Sequence, residues 1–62
     1  MKRPDAERVI DGVRFRAYRR RTEIEVLRGD GDIEDQAAEV WCYPKQMGAE
    51  GAIAQAALDT GR

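Results

Sequence analysis

The sequence predicts an α+β domain, a small three-stranded antiparallel sheet (a β-hairpin plus a third strand) packed against one C-terminal helix. Three observations lead there. Apolar and polar residues alternate over 13–18 and again over 23–27, the period of two that turns one face of a strand toward a core. The run Glu39-Val40-Trp41-Cys42-Tyr43, closed by Pro44, has the β-branched and aromatic composition of a strand. Beyond Gly48 the chain becomes alanine-rich with apolar residues at helical spacing.

Residues 1–8 show no apolar periodicity and are expected to be a flexible N-terminal leader to a single domain at 9–62. In the hairpin, Val13, Phe15 and Ala17 alternate with Arg14, Arg16 and Tyr18, and Ile24 and Val26 alternate with Glu23, Glu25 and Leu27. A four-residue loop at 19–22 sets Tyr18 opposite Glu23 and Arg16 opposite Glu25 on one face, with Ala17 meeting Ile24 and Phe15 meeting Val26 on the other. A two-residue loop at Arg19-Arg20 keeps the same parity but demands positive φ at residues that resist it, so the longer loop is expected.

Arg28-Gly29-Asp30-Gly31-Asp32 is a turn signal. After it, Ile33, Ala37, Val40 and Trp41 fall at helical spacing with Asp32 placed as a cap, while residues 39–43 read as strand. The expectation is a linker or single helical turn at 33–38 and the third strand at 39–43. Ile53, Ala54, Ala57 and Leu58, with Met47 one repeat earlier, then define a helix over about 49–59, stopped by Thr60-Gly61 with Gly61 in the left-handed position past its end.

Composition narrows the chemistry. The chain has 62 residues, one cysteine and no histidine, which removes zinc fingers and every mechanism that needs an imidazole. A single Cys42 gives no disulfide scaffold, so a reducing cytoplasm is the expected location. No apolar run approaches the roughly 18 residues of a membrane span, and the first residues lead into charged sequence instead of a signal-peptide core. At this length about 60% of the unfolded chain's surface is buried on folding, so a partner or a second copy is expected to supply part of the stability.

The sequence offers candidate sites of several kinds. Asp30, Asp32 and Glu34 sit at alternate positions as at the start of an EF-hand loop, but Asp35 stands where that loop needs glycine and Trp41 where it needs a bidentate glutamate. No metal site and no cofactor is expected. Gly29 and Gly31 lack the downstream residues of a phosphate or dinucleotide loop. Cys42, without a histidine to activate it and expected to point inward beside Val40, reads as a core thiol. No enzyme is expected.

Charge is where the chain is distinctive. Its formal net charge of −1 conceals nine basic and five acidic residues over 1–28 against two basic and seven acidic over 29–62. Arg14, Arg16, Arg19, Arg20 and Arg21 crowd the first hairpin strand and its turn, and Asp30, Asp32, Glu34, Asp35 and Glu39 crowd the connection to the third strand. If Trp41 and Tyr43 lie on the arginine face, cations and flat aromatics together suit phosphates, exposed bases or a protein hot spot. Double-stranded DNA carries one charge per roughly 1.7 Å of axis, a density that five carboxylates on a short loop can imitate.

Three functions follow as expectations. The leading one is a small interaction protein that binds and blocks or modulates a larger protein or ribonucleoprotein machine, one that handles nucleic acid. Phage-encoded inhibitors, anti-CRISPR proteins among them, are of this size and kind, although they share no motif and the likeness is one of class alone. The second is a DNA- or RNA-binding module reading through the Arg-rich hairpin, against which stands a pI of about 5.3. The third is a homodimeric structural or assembly protein that buries Trp41 and Tyr43.

Overall fold

The computed structural model describes residues 3–29 and 39–61. Four strands, β1 (Ala6–Ile10), β2 (Val13–Arg19), β3 (Ile24–Arg28) and β4 (Glu39–Tyr43), are followed by a single 3-10 turn at Lys45–Met47 and by helix α1 (Ala49–Asp59). The sheet has the order β1-β2-β3-β4 with every neighbouring pair antiparallel. The α+β class and the C-terminal helix are as expected, but the sheet has four strands where three were predicted. The additional strand begins inside the segment expected to be a leader.

Strand β1 exists because Asp11 and Gly12 close a two-residue turn between it and β2, with Ile10 opposite Val13. Both turn residues have positive φ, 52° and 79°, the conformation of the turn that matches the twist of a hairpin and favours an Asp-Gly pair. A hydrogen bond from the Arg19 N–H to Asp5 Oδ2, 2.7 Å, ties the start of β1 to the end of β2.

The β2–β3 hairpin has the predicted faces and a different register. Ala17 lies opposite Val26, Tyr18 opposite Glu25 and Phe15 opposite Arg28, a displacement of two residues from the pairing of Arg16 with Glu25. The loop is residues 20–23, closed by an Arg20 N–H to Glu23 carbonyl bond of 2.8 Å. A slip of two leaves each side chain on its face, so the apolar pattern cannot distinguish the two registers. Here Glu25 accepts from Arg20 in the loop instead of meeting Arg16 across the strands.

One face of the sheet packs on α1. Its central row runs Ala6, Ala17, Val26, Trp41 across all four strands, with alanines under the helix and bulk increasing toward β4. The core comprises Phe15, Ile24, Val26 and Ile53 together with Ala6, Ala17, Ala52 and Ala56. The buried side of α1 is Ala52, Ile53, Ala56 and Ala57, rotated from the expected stripe so that Ala54 is exposed and Leu58 is 69% exposed. Alanines permit the close approach that a leucine in the seam would prevent. The helix ends as predicted, with Gly61 at φ 83° and the Thr60 N–H donating to Ala56 O. No helix among the described residues is long and apolar enough to cross a membrane.

Candidate interaction surface

Alternation along β2 turns Arg14, Arg16 and Tyr18 to the sheet face opposite α1, where the register also places Glu7, Glu25, Leu27, Val40 and Cys42. The five hairpin arginines, although adjacent in sequence, meet four different environments. Arg14 pairs with Glu7 at 3.5 Å. Arg16 is only 3% exposed, and its Nε and Nη2 have no hydrogen-bond partner. Arg20 lies with its guanidinium carbon 5.1 Å from the centre of the Tyr18 ring and its Nη2 3.1 Å from Glu25 Oε1, so the ring and the carboxylate hold it together. Arg19 and Arg21 are exposed at the end of the hairpin, and among the described residues neither side chain has an ion-pair partner. The basic cluster therefore narrows to a tip.

Trp41 and Tyr43 do not share that face. They are half-buried on the α1 side, where the Trp41 ring packs 6.5 Å from Phe15 at 34° and the Tyr43 hydroxyl donates to Asp59 Oδ2 at 2.7 Å. Large aromatic rings gain more from the core side than a valine and a cysteine do, and strand alternation then sends Val40 and Cys42 outward. The combined cation and aromatic surface conceived for the hairpin does not form.

Cys42 is exposed, which corrects the inward placement expected for it. Interaction with the Glu23 carboxylate, desolvation and the negative charges of Glu23 and Glu25 push its pKa up to about 11. A thiol held in the protonated form is a poor nucleophile at neutral pH. Asp59 is shifted the other way: the Tyr43 hydroxyl and the Gln55 amide, 3.1 Å away, stabilise its carboxylate and lower its pKa. Burial and the bond to Asp59 raise that of Tyr43.

Of the acidic segment, Asp30, Asp32, Glu34 and Asp35 lie outside the described residues, as does the linker or turn expected at 33–38. Glu39 is described, exposed and paired with Arg28. A further exposed pair, Arg8 with Glu50 at 3.1 Å, joins β1 to the first turn of α1. Among the described residues no three cysteine, aspartate or glutamate side chains gather as metal ligands would.

The sequence reading overlooked β1, although Asp11-Gly12 between Val9-Ile10 and Val13 carried the signal. It also did not foresee the burial of Arg16, which requires knowing that the outer face of β2 is covered. The chain matches no protein family model, no curated protein and no solved structure.

Proposed function

We propose that this protein is a non-enzymatic interaction protein that binds a larger, nucleic-acid-handling protein machine and modulates or blocks it. The class analogy is the phage-encoded inhibitor. Support comes first from the hairpin tip, where Arg19 and Arg21 remain exposed while Arg14 and Arg20 are engaged with Glu7 and Glu25 and Arg16 is buried. Guanidinium groups exposed on a turn suit carboxylates or phosphates of a partner, which they grip in bidentate fashion. In the sequence, the acidic run from Asp30 to Asp35 offers carboxylates of opposite sign.

The same distribution weakens direct reading of nucleic acid by the sheet. A β-ribbon in a groove needs its face arginines, and here Arg14 is paired and Arg16 buried.

Affinity capture with this protein as bait, run with and without nuclease, tests the reading. A protein partner that survives nuclease is expected, and Arg19→Glu with Arg21→Glu should reduce its recovery at least tenfold while leaving the far-ultraviolet spectrum unchanged. Recovery abolished by nuclease alone, or a gel shift of nucleic acid at micromolar protein in low salt, would replace this proposal with a nucleic-acid-binding one. Retention of the partner by the tip variant and by Asp30→Asn, Asp32→Asn, Glu34→Gln, Asp35→Asn in combination would remove both charged surfaces from it.

A further inference from the structure

We propose that β4 is a docking edge for a second copy of this chain, the two strands pairing antiparallel about a two-fold axis at Trp41 so that the two sheets become one of eight strands. This inference is independent of the charged surfaces above.

The phase of the hydrogen-bond ladder identifies which backbone groups of β4 point away from β3. Bonds from the Gly29 N–H to Arg14 O and from the Arg20 N–H to Glu23 O show that even-numbered residues of β2 bond to odd-numbered residues of β3. Backbone groups of successive strand residues point in opposite directions. Ile24, Val26 and Arg28 therefore bond toward β4, to Tyr43, Trp41 and Glu39, their register partners. On β4 the same alternation leaves the N–H and C=O of Val40 and Cys42 directed out of the sheet edge.

Those four groups are self-complementary. With the axis at Trp41, Val40 stands opposite the partner's Cys42 and Cys42 opposite the partner's Val40, and each couple exchanges two hydrogen bonds. An axis at Cys42 would set Val40 against the partner's Pro44, which has no N–H to give. An axis at Val40 would draw Cys42 beyond the partner's β4. A two-fold contact requires residue i to meet j and j to meet i, and only the Trp41 axis satisfies this with both outward-facing residues inside the strand.

Side chains agree with that register. Val40, 53% exposed, and the exposed Cys42 are neutral and would cover one another on the outer face. On the opposite face α1 packs chiefly against β1, β2 and β3, leaving Trp41 half-buried at the margin of the core, and the axis brings it against the partner's Trp41. Edge strands that must stay single are guarded by charge, proline or a bulge. The other edge, β1, carries adjacent Glu7 and Arg8, each in an ion pair. Within β4 the only charged residue is Glu39, at its end and paired with Arg28.

Sedimentation velocity on the full chain at tens to hundreds of micromolar tests the proposal, together with two variants. The wild type is expected to sediment as a dimer. Val40→Lys, which adds an edge charge on an already exposed position, should be a monomer with an unchanged circular dichroism spectrum. Val40→Cys, oxidised with diamide as acceptor of two electrons and two protons per disulfide, should yield a covalent dimer with two bonds between residue 40 and the partner's residue 42, within the span such bonds tolerate. Wild-type protein, whose Cys42 faces valine, should not cross-link. A monomeric wild type, a Val40→Lys dimer, or cross-linking through Cys42 alone would each overturn the proposal. Because Arg19 and Arg21 lie outside β4, loss of partner capture by their variants leaves this result untouched.

Discussion

Arg16 carries a permanent positive charge into the outer face of the sheet. Guanidinium does not deprotonate in proteins, so burial cannot be relieved by loss of a proton, and its Nε and Nη2 remain without acceptors. Among the described residues, Glu7 and Glu25 on the same face are engaged elsewhere, Glu7 with Arg14 and Glu25 with Arg20. A buried donor that gives up water and receives nothing costs about 1–3 kcal/mol, more when charged. Arg16→Met keeps the unbranched stem and removes the charge. It is expected to raise stability by about 1–3 kcal/mol, read as a higher urea midpoint, and to leave partner capture unchanged because the residue is 3% exposed. A lowered midpoint would mean that the guanidinium is satisfied after all.

Elements were legible where one physical signal dominated. Helix α1 follows from alanine content and a glycine stop, and β4 from an aromatic and β-branched run ahead of Pro44. The faces of β2 and β3 follow from alternation, but their register does not, since Ala17 packs equally well in the pattern against Ile24 or Val26. Strand β1 was lost because Glu7 and Arg8 interrupt its apolar alternation and mask the Asp-Gly turn that makes the hairpin. The orientation of β4 depended on a contest between Trp41-Tyr43 and Val40-Cys42 for the core that only the packed helix decides. Once decided, it links β4 to the C-terminal end of α1 through Tyr43 and Asp59. The lowered Asp59 pKa means that folding favours its ionised form, so this stabilisation is present above the unfolded carboxylate value of about 3.9 and is lost as pH falls through the lower folded value. The raised Tyr43 pKa has the opposite consequence, with stabilisation present below about 10 and lost as pH rises through the higher folded value. Tyr43→Phe should return the Asp59 titration, followed by NMR, toward the ordinary carboxylate range and remove the alkaline loss of stability that depends on the phenol. An unmoved Asp59 titration would place its shift on Gln55 alone.

At the scale of the whole molecule, the seam between one sheet face and α1 is lined on its helix side mostly by alanine. Of the core residues, Ile53 is the only large side chain that α1 contributes; the rest of its buried side is Ala52, Ala56 and Ala57. It is fully buried, and no neighbouring helix residue has the volume to fill the space it would leave. Truncating a buried isoleucine to alanine costs about 2–5 kcal/mol, and to valine about 0.5–1.5 kcal/mol. Native domains have near 0.05–0.15 kcal/mol per residue, which places a 62-residue chain at about 3–9 kcal/mol. Ile53→Ala is therefore expected to remove about half of that stability and lower the urea midpoint steeply, while Ile53→Val lowers it slightly. Trp41 fluorescence reports both, since the indole packs beside Phe15 and is exposed when the seam opens. If the β4 edge pairs as proposed, the transition of the wild type should also move to higher urea as protein concentration rises, because association stabilises the folded state by mass action. The same series in Val40→Lys should be independent of concentration, which separates the contribution of Ile53 within one chain from that of pairing between two.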